Sequence, residues 1–186
     1  MTEQEKFMKE ALKEALKAYK KEEIPVGAVI IKDNKIIARA YNKKEEKLDT
    51  TKHAEILAIQ KASKKLNSWR LTDCDMYVTL EPCSMCAGAL IQARIRKVYI
   101  GTEDTKTGAC GSVLNLLEDY KFNHKVEIEK GILKKECIVL PPALIAATPV
   151  GANTICFLFV WSHIYRKKVD FPVPAFPVRN TDCEVY

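Results

Sequence analysis

Four side chains in this sequence have types and spacings that could do chemistry together. His53 and Glu55 are two residues apart in His53-Ala54-Glu55, and thirty residues beyond His53 the chain reads Pro82-Cys83-Ser84-Met85-Cys86. One imidazole and two thiols are a donor set for zinc, and three protein ligands leave the fourth tetrahedral position open to water, as a catalytic zinc requires. Cys83 and Cys86 are three apart at the start of a predicted helix, so they share one face, and the positive end of that helix favours their thiolate forms. Glu55 sits too far round a helix from His53 to share its direction, which suits a carboxylate beside the metal that carries protons without being a ligand.

Cys-x-x-Cys alone fits two other assignments, half of a structural zinc site or a thioredoxin-like redox pair. A structural zinc needs a fourth ligand. His124, His163, Cys74, Cys110 and Cys137 offer no second paired spacing, and a structural site gives Glu55 no purpose. The combination H-x-E with P-C-x-x-C is the known signature of zinc-dependent nucleobase deaminases. In that chemistry the metal makes water acidic enough to attack, and the glutamate protonates first the ring nitrogen and then the departing amine.

Positioning those groups requires several elements. Thr2 with Glu5 forms a capping box, followed by Phe7, Met8, Ala11, Leu12, Ala15, Leu16 and Tyr19 at helical spacing. Val26 to Ile31 and Ile36 to Tyr41, joined by Asp33-Asn34, predict a hairpin. A polar loop covers Asn42 to Thr51. A second helix starts near His53, carries Ile56, Leu57 and Ile59 inward and fades in KKLNS. A strand over Met76 to Leu80 feeds Glu81-Pro82-Cys83, and a third helix begins near Ser84. A strand over Val98 to Gly101, a helical turn near Leu114 to Leu117, a strand over Val126 to Ile128 and a terminal helix complete the pattern. A hairpin followed by alternating helices and strands predicts an α/β fold, a mixed central sheet between two helical layers.

The composition is that of a globular chain, 47% hydrophobic and 29% charged, and a net charge of +6 favours polyanionic partners without establishing one. Seven cysteines, an odd number with one Cys-x-x-Cys pair, suit metal chemistry in a reducing cytoplasm better than a secreted disulfide framework. The charged N-terminal stretch lacks the pattern of an export signal. Near residue 139 the composition breaks: residues 139–186 hold six of the eight prolines and seven charged side chains, against forty-seven in the first 138. Two regions are therefore expected, a catalytic domain over 1–139 and a Pro-rich, charge-poor extension over 140–186. A membrane anchor needs about 20 continuous apolar residues. Pro149, Gly151 and Asn153 interrupt the extension, so no membrane anchoring is expected.

From Phe7 to about Val139 the chain resembles the bacterial tRNA-specific adenosine deaminases of the cytidine-deaminase-like superfamily. The resemblance is carried by EIPVGAVI at 23–30, HAEILAI at 53–59, SWRLTD at 68–73, YVTLEPCSMCAGA at 77–89 and DTKTGACGS at 104–112. It implies a three-layer α/β/α sandwich, zinc held by His53, Cys83 and Cys86, and Glu55 as the proton shuttle. By the same resemblance Asn42 meets the target nucleoside, although it also suits a turn after a strand. Val26 and Ala28 take pocket-wall positions, which ordinary strand residues would also fill. Asp104 and Lys106 lie in the loop that meets the anticodon backbone in the family; the alternative is a solvated charged loop. Trp69 and Arg70 could be a base platform or core. The implied partners are a tRNA anticodon stem-loop and a second copy of the chain. Free-base deamination of guanine or cytosine is the competing activity, and an inactive zinc fold that only binds RNA is the non-enzymatic one. The departure is at the C-terminus, where ECIVL runs into Pro141-Pro142 in place of the family's charged, aromatic-bearing helix.

Overall fold

The computed structural model describes residues 1–138. Everything expected of the extension, from its prolines to its apolar stretch, lies outside the described residues. Ten elements follow in chain order: α1 (Glu3–Tyr19), β1 (Gly27–Lys32), β2 (Lys35–Tyr41), α2 (Lys44–Lys47), α3 (Ala54–Leu66), β3 (Cys74–Leu80), α4 (Ser84–Gln92), β4 (Lys97–Thr102), β5 (Glu127–Lys130) and α5 (Lys134–Ile138). The strands form one sheet in the order β2-β1-β3-β4-β5. The pairs β1/β2 and β1/β3 are antiparallel, whereas β3/β4 and β4/β5 are parallel, which makes the sheet mixed as expected.

Alternation along the strands separates two cores. Ala28, Ile30, Met76, Val78, Val98 and Ile100 face α3 and α4. Val29, Ile31, Tyr77 and Tyr99 face α1 and α5, where Phe7, Met8 and Ala11 meet them. Tyr77 and Tyr99 are register partners on neighbouring strands, and their rings stack at 4.2 Å. Helices on both faces give the three-layer α/β/α sandwich.

Local chemistry explains the ends of α1. Glu5 N–H donates to Thr2 Oγ1 at 3.2 Å and Thr2 N–H donates to Glu5 Oε2 at 2.8 Å, a complete capping box. At Gly27 the helix backbone comes so close that a Cβ would run into the Ala11 carbonyl oxygen. Glycine is what lets α1 press onto the first strand.

Two expectations need correction. The fully buried face of α3 is Ala54, Glu55, Ala58 and Ala62; Leu57 and Ile59 pack against the same core while partly buried, as expected, and Ile56 is partly buried without joining it. Small residues let the helix sit close to the sheet, so the bulky ones move to its flanks. The polar stretch after Asn42 contains a helical turn, α2, whose Glu45 and Glu46 N–H groups donate to the buried Glu23 carboxylate at 3.2 and 2.7 Å. The helical turn expected near Leu114 to Leu117 is present as a single turn, with the Asp119 N–H donating to the Asn115 carbonyl at 3.1 Å and Leu117 buried. Among the described residues no helix is long and apolar enough to cross a membrane.

Candidate metal centre

β3 and β4 run parallel, β1 runs against β3, and β2 runs against β1, so one end of the sheet collects the start of β1, the end of β2 and the ends of β3 and β4. The crevice beyond the carboxyl ends of parallel strands is the usual place for a site in such sheets. Here it receives the N-termini of both α3 and α4. His53 is the N-cap of α3 and Cys83 the N-cap of α4, each with extended backbone, and Cys86 lies in the first turn of α4. Each helix therefore begins on a candidate ligand and directs its positive end at the cluster.

His53 Nδ1 is 3.7 Å from Cys83 Sγ and 3.6 Å from Cys86 Sγ, and the three donor atoms lie within 4.8 Å of one another. Donors at Zn–N and Zn–S bond lengths on two corners of a tetrahedron are about 3.5 Å apart, so the observed spacing fits a zinc-sized ion. These three are the one such group among the described residues. Cys110, another thiol considered from sequence, is buried with its Sγ turned to the Pro82 carbonyl.

The electrostatics suit a metal site. Cys83 is pulled down to about 4, chiefly by a hydrogen bond from the Cys86 thiol and also by His53 and the Cys86 backbone N–H. Cys86 is pushed upward by that same bond to Cys83 and by burial, so without a cation the pair shares one thiolate. His53 is raised by its hydrogen bond to Cys83. Glu55, in the first turn of α3, is only 3% exposed and burial raises its pKa. Its Oε2 is buried with no hydrogen-bond partner. An unmet carboxylate oxygen beside a cluster of metal-type donors is what a site that takes up another group displays. Two thiols and an imidazole at this spacing, next to that orphan, can hold a zinc ion and leave a position for water or substrate beside a proton carrier.

Asn42 is buried, directly after β2, and its Oδ1 accepts the Ala54 N–H at 2.8 Å, fixing the helix start between His53 and Glu55. Asn42→Ala should leave that N–H unmet and cost about 1–3 kcal/mol. Thermal unfolding should show a drop of several degrees; an unchanged midpoint would rule this clamp out. Val26 and Ala28 are buried in the α3/α4 core, and the Val26 carbonyl accepts the Asn42 N–H at 3.2 Å, placing Val26 at the site end.

Asp104 and Lys106 belong to the loop after β4. The Asp104 carboxylate turns onto its own loop, accepting the N–H groups of Lys106 and Thr107 and the Thr107 hydroxyl, at 2.9, 3.2 and 2.6 Å. Lys106 is exposed. The loop is joined to the ligand turn through the Cys83/Gly108 bridge and through Ala109 N–H donating to the Pro82 carbonyl at 2.9 Å. Trp69 and Arg70 are not brought to this site. They stack on one another at 4.2 Å in the connection from α3 to β3, and α3 carries the chain about 20 Å from His53 to the other end of the sheet. Sequence reasoning missed Glu81, which is 2% exposed and ties the 104–112 loop down. Its one signal was a carboxylate closing an apolar strand immediately before Pro82-Cys83.

Comparison with known proteins agrees with this geometry. The family model of the MafB19-like deaminases matches residues 2–136. A Bacillus subtilis protein named tRNA-specific adenosine deaminase is 49% identical over 137 residues, covering 74% of this chain and 85% of its own length. A solved structure from a study of A-to-I editing by tRNA:A34 deaminases superposes with a TM-score of 0.70 at 41% identity, covering 73% of this chain and 98% of its own. A guanine deaminase from Nitrosomonas europaea shares the fold at a TM-score of 0.62 and 22% identity, covering 73% of this chain and 81% of its own. With a family match over residues 2–136, relatives of up to 49% identity over the same region and the same architecture, the chain belongs to the tRNA-specific adenosine deaminase family of the MafB19-like deaminases.

Proposed function

We propose that this protein hydrolytically deaminates adenosine to inosine at the wobble position of tRNA, using one zinc ion held by His53, Cys83 and Cys86. The observation that carries the reading is the grouping of those three donors next to the buried Glu55, whose Oε2 has no hydrogen-bond partner. When bound there, zinc supplies the Lewis acidity that brings the pKa of water towards about 7. Glu55 takes the proton of the attacking water, delivers it to the purine ring nitrogen next to the attacked carbon, and afterwards protonates the amine, which leaves as ammonia. His53 and the two cysteines are fully used as ligands, which leaves Glu55 as the proton carrier. Asn42 keeps the start of α3 in place and turns its amide towards the nucleoside, with Val26 and Ala28 behind it. Asp104 shapes the loop from which Lys106 meets the RNA backbone. The deaminase domain spans 1–139, with 140–186 as an extension, and the protein works as a homodimer in the cytoplasm.

The test is to incubate zinc-loaded protein with an unmodified anticodon stem-loop bearing adenosine at the wobble position and to score inosine. Inosine is expected, with negligible ammonia from free adenosine, guanine or cytosine, because phosphate contacts and a flipped base supply binding that a lone base lacks. Rapid turnover of free guanine without an RNA product would establish the free-base activity instead. Stem-loop binding should weaken as salt rises, and Lys106→Ala should reduce the slope of log affinity against log salt by about one with zinc content unchanged. An unaltered slope would remove Lys106 from the interface.

A further inference from the structure

Glu81 closes β3, precedes the ligand turn, and is buried at 2% exposure without an ion-pair partner among the described residues. A buried carboxylate is tolerated only where its lone pairs are met. All four of its donors come from one loop. Oε1 accepts the N–H groups of Cys110 and Ser112 at 2.8 and 3.1 Å. Oε2 accepts the Asp104 N–H at 3.2 Å and the Ser112 hydroxyl. Three backbone N–H groups separated by up to eight residues thus converge on one anion, a nest that sets the shape of the whole loop. Gly108 makes room for it, since a Cβ there would stand 2.7 Å from Glu81 Cδ. The relay continues outward: the residue whose N–H Glu81 holds, Asp104, holds the N–H groups of Lys106 and Thr107.

We propose that Glu81 is a positioning residue for RNA binding, the joint through which the Cys83 turn and the Lys106 loop are held as one unit. It touches neither the metal donors nor the reacting atoms. An amide could not replace it, because glutamine offers one acceptor oxygen where four donors require two. This inference rests on the tRNA reading for its substrate, although the joint itself is a property of the chain.

The experiment compares wild-type protein, Glu81→Gln and Ser112→Ala on the anticodon stem-loop, with zinc content and amide hydrogen exchange measured alongside. In Glu81→Gln, zinc should remain bound, kcat should stay within about threefold, and KM for the stem-loop should rise about tenfold or more. Hydrogen exchange should quicken at Asp104, Cys110 and Ser112 and not in α3 or α4. Ser112→Ala removes one hydroxyl donor and should shift KM and exchange the same way by less. Lys106→Ala should raise KM in the wild-type background and add little in Glu81→Gln, because the loop it acts from is already released. Loss of zinc or of kcat with KM unchanged would overturn the proposal, as would unaltered loop exchange. If Glu81→Gln does not fold, Ser112→Ala decides: unchanged KM and unchanged exchange reject the joint. Absence of inosine from the wild-type protein would instead reject the tRNA reading, and exchange in the loop would still test the joint.

Discussion

Glu55→Ala should lower deamination by about 10²–10⁴-fold while the protein keeps its zinc and its fold. His53, Cys83 and Cys86 are mutually within 4.8 Å and complete a three-donor set by themselves, so the ion does not depend on the carboxylate. Glu55 is buried with Oε2 unmet, and its pKa is raised by that burial, which means that the folded protein carries it at a cost. Removing such a group should leave the thermal midpoint unchanged or raise it, the usual relation between a strained site and the stability of its scaffold. Zinc analysis, thermal unfolding and single-turnover kinetics read the three expectations separately. Zinc lost together with activity would make Glu55 a ligand, and a sharply lowered midpoint would make it a structural residue.

The contrast between Glu55 and Glu81 shows what the sequence could and could not reveal. The placement of His53, Glu55, Cys83 and Cys86 at two helix starts, and the grouping of the His and the two Cys, was legible because each pair sits within three residues and helix-start geometry is a short-range property. The hairpin, the capping box of α1 and the strand that feeds the ligand turn were legible for the same reason. The roles of Glu23 and Glu81 were not. Glu23 caps α2 from 22 and 23 residues away, and Glu81 gathers donors 23 to 31 residues ahead of it. No periodicity or spacing records which loop folds back over a carboxylate. The alanine face of α3 misled in a different way, because hydrophobicity ranks Ile56 above Ala58 whereas a helix lying close on a sheet selects for small volume. Trp69 illustrates the same limit: read as core more readily than as a base platform, it is 55% exposed under Arg70, and the length of α3 carries it away from the metal-type donors.

The second large effect falls on the metal. Cys86→Ser should release zinc first and lose activity in proportion, because a serine hydroxyl is a poor zinc donor and cannot take the thiolate form that completes the set. Cys86 is fully buried in the first turn of α4, where bulk water does not reach to take its place. Its thiol is held protonated by the adjacent Cys83 thiolate and by burial; zinc uptake by the wild type should therefore expel a proton, which calorimetry in buffers of different ionisation enthalpy detects. A loss of affinity on the order of 100-fold removes about 2.7 kcal/mol of linked stability, or roughly 5–10 °C for a chain of this size. Wild-type protein stripped by a chelator should unfold at or below the temperature of Cys86→Ser, since it lacks the whole metal contribution and the variant only the part lost with affinity. Cys110→Ser is the control, a buried thiol of similar exposure whose sulfur turns to the Pro82 carbonyl and away from the donor set. If Cys86→Ser retains full zinc, or if Cys110→Ser loses it equally, the ligand assignment fails and the open position of the metal has to be sought elsewhere.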